Sequence, residues 1–323
     1  MKVLVTGSTG FIGGALCRAL VERDYEVRAF HRSTSNLRLL EGLPVEHAIG
    51  DLTQPQSLQT ACQGVEAVFH AAAWVGMNDP GRLYAINVEG TRAVVQAALL
   101  ERVNRVVYTS SVAALGIPPP GVPGLIDEYH TWNFVPEHFP YGYAKYLAEL
   151  EIQKGVAMGL DAVIVNPSLV LGGGDIYRQS SSIILQVAAR KVGIAVEGGT
   201  NAVHVADVAD GHIAALLRGR RGERYILGGE NHNYLDLIQR IAGVTGIPAP
   251  SVVLPGRLVR ALRGPAGFLE RFLELPVSAD VFVLAGRYLY YDTRKARNEL
   301  VLPEPKPVEQ AVAEAFAWFK GSN

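Results

Sequence analysis

What this sequence lacks narrows it quickly. Two cysteines in 323 residues, Cys17 and Cys62, are too few for a disulfide framework and carry no CxxC metal spacing. Cys17 falls on a helical pattern and reads as a small core residue. No apolar run reaches the roughly 18 residues a spanning helix needs, so no membrane segment is expected. Charged residues make up only 19% and the formal net charge is −1, which leaves no basic surface for nucleic acid or an anionic membrane. The one concentrated basic run, Arg218 to Arg221, reads as a solvated helix end. The first apolar strand begins at residue 2, so no signal peptide is expected and the default is a cytoplasmic protein. What is plentiful is apolar: 49% of the residues are hydrophobic, ample for a core in one large α/β unit with a lobe.

The chain is organised around Val3 to Gly13, VLVTGSTGFIG. Val3, Leu4 and Val5 make a short strand of the kind buried on both faces. Thr6 to Gly10 is a glycine turn, and Ile12, Leu16, Ala19 and Leu20 then recur at helical spacing. A strand, a tight turn and a helix with glycine at 7, 10 and 13 let a backbone approach a pyrophosphate closely. The helix N-terminus then offers free N–H groups and a partial positive charge. Gly7, Thr9, Gly10, Phe11, Ile12 and Gly13 are therefore the candidate phosphate contacts.

The strand Val27–Phe30 is followed by His31, Arg32 and Ser33. A dinucleotide site that prefers NAD(H) carries an acidic residue about here to hold the ribose 2′-hydroxyl. An arginine and a hydroxyl suit a 2′-phosphate instead, so NADP(H) is favoured, with NAD(H) as the alternative. Further strands are expected at Val45–Ile49, Ala67–His70, Arg105–Thr109, Val163–Val165 and Arg224–Leu227. Helices are expected at Pro55–Cys62 and, as one long element, at about Leu83–Glu101. A proline-rich loop follows Gly116 and runs through Trp132 and Phe134 to Pro136. It reads as a substrate-pocket wall, with those two aromatic residues lining the pocket or anchoring the loop.

Tyr141 and Lys145 stand four apart, on one face of a helix. A phenol with a pKa near ~10 is a poor proton-transfer group at neutral pH, and a neighbouring ammonium lowers it. A serine hydroxyl at the end of the strand Arg105–Thr109, Ser110 or Ser111, would hold a substrate oxygen. Tyr143 has no lysine four residues on.

The TGxxGxxG turn, the small-residue turn after His70, the Thr109-Ser110-Ser111 strand end and the Tyr141/Lys145 pair fall in one order. In this they resemble the extended branch of the short-chain dehydrogenase/reductase superfamily, the NAD-dependent epimerase/dehydratase group. The closest likeness is to its dihydroflavonol-reductase-like members, over roughly residues 1–215. The resemblance implies a Rossmann-type doubly wound parallel sheet with a smaller C-terminal substrate lobe. Residues 1–170 with about 201–228 would form the dinucleotide-binding part, and about 171–200 with 229–323 the lobe. It implies Tyr141 as general acid/base, Lys145 as its partner, and Ser111, rather than Ser110, as the hydroxyl on the substrate oxygen.

By the same resemblance Asp51 and Leu52 lie beside the adenine. Ala71, Ala72, Ala73 and Thr109 approach the cofactor, and Asn87 braces the neighbouring strand. Pro167, Ser168, Leu169 and Val170 lie along the nicotinamide. In HVADVA (204–209), Asp207 caps the next helix. The substrate would be a carbonyl compound or secondary alcohol, or else a nucleotide sugar handled by an epimerase. For the diphosphate of such a sugar Arg257, Arg260, Arg263, Arg271 and Arg287 are available. Tyr177, Arg178 and Gln179 are candidate pocket-edge residues. Members of this family often dimerise through two long helices, here about 83–101 and 141–155. No metal site is expected.

Overall fold

Seven short apolar segments join one sheet. They are β1 (Lys2–Thr6), β2 (Glu26–His31), β3 (Glu46–Ile49), β4 (Ala67–His70), β5 (Arg105–Thr109), β6 (Ala162–Pro167) and β7 (Arg224–Leu227). Their order is β7-β6-β5-β4-β1-β2-β3, and every pairing is parallel. Parallel neighbours need crossovers, and the helices that supply them cover both faces. Along β1, Val3 and Val5 join one core with α1 (Phe11–Val21), while Leu4 joins the other with α2 (Pro55–Cys62) and α3 (Gly90–Leu100). The second face also takes α4 (Pro140–Ala157), and the first takes α5 (Val205–Arg218). This is the doubly wound, Rossmann-type fold. Its strand order reverses between β1 and β4, which opens a crevice at the carboxyl edge where such sheets take their ligands. The structure, a computed structural model, describes residues 1–76, 79–121, 123–178, 180–261 and 283–321.

A second, smaller sheet is built around Gly199–His204. It pairs antiparallel with Glu230–Asn233 and parallel with Leu169–Leu171 and Tyr288–Tyr291. Helices Ser182–Ala188, Tyr234–Thr245 and Val308–Lys320 cover it through a third core that includes Ile184, Leu237, Ile241 and Val312. The two parts interleave. Leu125–Ile126, from the long loop after β5, pairs with Tyr290–Tyr291, while Ala296 and Leu300 pack back into the first core. The proline-rich loop is strapped as well. Gly121 N–H donates to the Gly286 carbonyl at 2.7 Å, Arg287 donates to the Pro118 carbonyl, and the Asn133 side chain clasps both backbone groups of Ile117.

Two local expectations are corrected. The long helix at 83–101 breaks into a turn at Pro80–Leu83, a π-helical stretch Tyr84–Glu89 and α3. In the widened stretch Asn87 leaves its own ladder and clasps Trp74, accepting from its N–H at 2.8 Å and donating to its carbonyl at 2.9 Å. The cap of α5 is His204, whose Nδ1 accepts from Ala206 N–H; Asp207 instead takes the backbone and side chain of Lys306, each at 2.7 Å. The basic run is the exposed end of α5, as expected: Arg218, Arg220 and Arg221 are all exposed, while Arg218 and Arg221 also reach the carbonyls of Leu300 and Leu160 and Arg220 pairs with Glu299.

Candidate active site

At the first turn the backbone leaves no room for side chains. Gly7 has φ +70°, and a Cβ there would stand 2.6 Å from both N and Cα of Ala72; one on Gly13 would stand 2.1 Å from the Gly7 carbonyl oxygen. The turn, α1 and the Ala71–Ala73 segment thus meet backbone to backbone. The N-cap of α1 is Gly10, with no side-chain cap and no acidic residue in the first turn, so its N–H groups are left for an anion. Ser8 donates to the Phe30 carbonyl at 3.1 Å and ties the turn to the end of β2. His31 there is buried and its Nε2 lies 2.9 Å from His47 Nδ1, while Arg32 and Ser33 stand exposed.

Several residues that the sequence assigned to the cofactor are used otherwise. Leu52 is buried and packs on Gly90; neighbouring Asp51 is more open, with Oδ1 accepting from Thr53. The Thr109 hydroxyl turns inward to His212 Nε2 at 2.7 Å. Val170 is buried in the first core, and Leu169 and Val170 belong to the strand that pairs with Ala202–His204. Ser168 donates to Asn201 at 2.7 Å. Trp132 stacks against Phe139 and Tyr146 on α4, so it anchors the loop, whereas Phe134 lies under the Arg287 guanidinium at 5.3 Å. Gln179, Arg263 and Arg271 lie outside the described residues.

At the end of β5 the chain turns sharply, and two adjacent serines part company. Ser111 caps the turn Val112–Leu115, its hydroxyl accepting from Ala113 N–H at 3.1 Å, and it lies on the side of the Tyr141 phenol. Ser110 points the other way and donates to Glu149 at 2.5 Å. Tyr141 lies in the first turn of α4, with Lys145 one turn on and Glu149 a turn beyond. Lys145 is buried and donates to the Thr109 carbonyl at 2.7 Å and the Tyr108 hydroxyl at 3.3 Å. Burial lowers its pKa to about 7, against the opposing pull of Glu149. Burial raises Tyr141 to about 12, against the opposing pull of the Ser111 hydroxyl. The expected lowering of the phenol by Lys145 is not what this protein alone shows: desolvation dominates, and the ammonium is drawn to β5.

Sequence reasoning missed the groups behind this pair. Glu149 accepts from Ser110 and, at 2.7 Å, from Asn166, which also holds the Ser111 carbonyl at 2.9 Å. Arg224 Nε stands 2.7 Å from the other Glu149 oxygen, an ion pair more than an aligned hydrogen bond. Burial raises the Glu149 pKa, which Arg224 opposes first. The one readable signal was spacing, since Tyr141, Lys145 and Glu149 stand four apart. Asn166 and Arg224 come from β6 and β7, and nothing local marks them.

The residues fit a nicotinamide dinucleotide: a cradle that any Cβ would fill, an uncapped helix N-terminus, and a hydroxyl, a phenol and a lysine at the same sheet edge. Fold and site together define a dinucleotide-dependent enzyme of the extended short-chain dehydrogenase/reductase type. Residues 3–228 match the model of the NAD-dependent epimerase/dehydratase family, and the chain belongs to that family. It is 36% identical to a Synechocystis protein provisionally named dihydroflavonol 4-reductase, over 98% of this chain and 94% of that one. It is 35% identical to the Methylococcus capsulatus protein named sterol demethylase protein B, over 99% and 98%. Among solved structures it resembles a nucleoside-diphosphate-sugar epimerase from Pseudomonas aeruginosa, with TM-score 0.84 and 28% identity, over 100% of this chain and 98% of that one. Relatives of this family are NAD(P)-dependent oxidoreductases and epimerases. Among the described residues no helix is long and apolar enough to cross a membrane.

Proposed function

We propose that this chain is an NADP(H)-dependent reductase that reduces a ketone or aldehyde to an alcohol, or runs the reverse. The observation that carries this reading is the placing of Ser111 at the end of β5 and of Tyr141 in the first turn of α4, with Lys145 one turn behind, at the carboxyl edge of the sheet. The nicotinamide supplies the hydride chemistry. Ser111 holds the substrate oxygen, and Tyr141 delivers the proton to it. A phenol pushed up to about 12 is protonated at neutral pH, which suits a donor and hence the reductive direction. Lys145 steadies the developing phenolate. Arg32 and Ser33, exposed past β2 with no carboxylate between them, would take the 2′-phosphate. Residues 1–170 with about 201–228 would hold the dinucleotide and the remainder the substrate. A homodimer through α3 and α4 belongs to the same reading and is checked by molar mass in solution.

An epimerase that keeps NAD(H) bound would need cations converging on a diphosphate. Among the described residues, Arg260 and Arg287 are spent on the carbonyls of Ala285, Pro118 and Val283, and Arg257 is exposed on a surface helix, which supports the reductase reading over these three. The test is turnover of NADPH with a dihydroflavonol such as dihydroquercetin and a panel of apolar ketones. Tyr141→Phe should abolish turnover with NADPH affinity within about twofold of wild type, because the phenol oxygen is a proton donor rather than a binding group. Arg32→Ala should weaken NADPH about tenfold or more and leave NADH unchanged, since one charge-assisted contact is lost. Unchanged turnover in the first, or equal losses in the second, would sink the assignment concerned.

A further inference from the structure

The carboxyl end of β2 carries two histidines to which the chemistry proposed above gives no part. His31 is the last residue of the strand and is buried; His47 stands on the neighbouring strand β3 and is exposed. His31 is the register partner of Ile49, and Ala29 of His47, so the two imidazoles lie on one face of the sheet. Their rings meet edge to face, with centroids 5.2 Å apart. His31 Nε2 is 2.9 Å from His47 Nδ1, and His31 Nδ1 is 3.0 Å from the Arg32 carbonyl oxygen.

The proton positions follow from that carbonyl. It only accepts, from Ser35 N–H at 3.0 Å and from the imidazole. His31 Nδ1 therefore carries a hydrogen. With both rings neutral, His31 Nε2 is bare and accepts from His47 Nδ1–H, which leaves His47 Nε2 bare in turn. One added proton fits without breaking either contact. It sits on His47 Nε2, or the bridging hydrogen passes to His31 while His47 keeps one on Nε2. Either way the pair carries a single positive charge. A second proton does not fit, because two N–H groups would then face each other across the 2.9 Å contact. The pair takes one proton as a unit.

We propose that the His31–His47 pair is a further specificity element for the 2′-phosphate of NADPH, its one proton placing a positive charge against the Arg32 backbone. This rests on the reading of Arg32 and Ser33 as the 2′-phosphate contacts. The preference for NADPH over NADH then grows as the pH falls, since imidazole is the side chain that changes charge near neutral pH. Among the described residues neither ring pairs with a carboxylate, so the charge stays available to an anion. The charged groups on the elements around the pair are Arg32 and Arg38 past β2, Arg18 and Glu22 on α1, and Asp51 past β3, whose carboxylate holds Thr53. Glu46 lies on the opposite face of β3 and is taken by Arg28 and Lys2 at 2.8 and 2.6 Å.

The experiment measures the dissociation constants of NADPH and NADH at about pH 6 and about pH 8, for the full-length wild type, His47→Gln and Arg32→Ala. Glutamine keeps an N–H for His31 Nε2 and takes up no proton. The free phosphate of NADPH gains its own proton at about pH 6 whichever protein is present, so the comparison between proteins isolates the pair. From the higher to the lower pH, wild type should gain about threefold or more in NADPH preference relative to His47→Gln, the size expected for one unit charge near a solvated dianion. NADH should bind wild type and His47→Gln alike at either pH, whereas a general loosening of the turn would weaken both cofactors. Wild-type pH dependence in His47→Gln overturns the inference. Arg32→Ala tells which reading has failed. If it weakens NADPH alone while His47→Gln follows wild type, the phosphate lies at Arg32 and the pair contributes nothing. If it weakens NADPH and NADH equally, the 2′-phosphate lies elsewhere and the inference falls with the reading beneath it.

Discussion

The two ends of the carboxyl crevice are built on opposite principles. Where β1 meets α1 the site is bare backbone: glycine against glycine against alanine, with no ionisable side chain between them. Where β5 meets α4 it is crowded with ionisable groups, Tyr108, Lys145 and Glu149 buried and Tyr141 half-buried, each shifted from its ordinary value. A bound phosphate needs closeness and oriented N–H groups, which a side chain could only obstruct. Proton transfer needs groups whose charge is held in check by burial and by one another. The first end should therefore fail by steric intrusion and the second by loss of a partner.

The largest effect belongs to the first end. Gly13→Val puts branched carbon where even a Cβ stands 2.1 Å from the Gly7 carbonyl, and backbone cannot step aside there. The expected outcome is no cooperative fold, seen as loss of the urea unfolding transition; a stable Gly13→Val protein would contradict the close-packed turn. Next comes the second end. Glu149→Ala leaves Lys145 and Arg224 without their shared counter-charge and strips Ser110 and Asn166 of an acceptor. A loss of about 3–5 kcal/mol in urea is expected, with a smaller one for Glu149→Gln. Equal, minor losses for both would mean that the charge contributes nothing.

Acid should reach both ends, through His70 against Thr6 and His212 against Thr109. His70 and His212 are folded as neutral rings, with pKa values of about 3 and about 4 against the ordinary 6.5 of a solvated imidazole. Between 6.5 and those values the unfolded chain binds the more protons, so the stability these groups contribute is whole above pH 6.5 and falls as pH drops through that window. At roughly 1.4 kcal/mol per unit, a loss of a few kcal/mol by about pH 4 is expected. His70→Gln should flatten the stability–pH curve even if it lowers the plateau. A curve of unchanged steepness would show that His70 is not the group being protonated.

How much of this could be read from the sequence follows the same division. The seven strands were legible because each is a short apolar run between turns, and the glycine turn because its spacing is local. Tyr141 and Lys145 were legible for the same reason, sitting one turn apart. The groups that govern them were not. Thr6 meets His70 across 64 residues, Asn166 reaches back 55 to the Ser111 carbonyl, and Arg224 meets Glu149 from another strand. Such contacts are fixed by sheet order, which no local pattern encodes. The π-helical stretch was lost differently, because Tyr84–Glu89 has ordinary helical composition and nothing local marks the widened turn from which Asn87 holds Trp74.

The smallest change sharpens the comparison most, because it separates folding from binding within the bare end itself. Gly10 differs from its neighbours. Its backbone is in the extended region that any residue adopts, and a Cβ would meet only the Gly7 carbonyl, at 3.2 Å. Gly10→Ala should therefore fold, at a cost of about 1 kcal/mol or less for the weaker N-cap. The added methyl nevertheless stands at the mouth of the helix, where a pyrophosphate would approach the N–H groups. NADPH affinity should drop about tenfold or more while the unfolding transition stays as it is. If affinity holds, the phosphates do not lie over this turn, and the glycines at 7 and 13 serve packing alone. If affinity and stability collapse together, as for Gly13, the division between a residue that shapes the turn and one that yields to the ligand is lost.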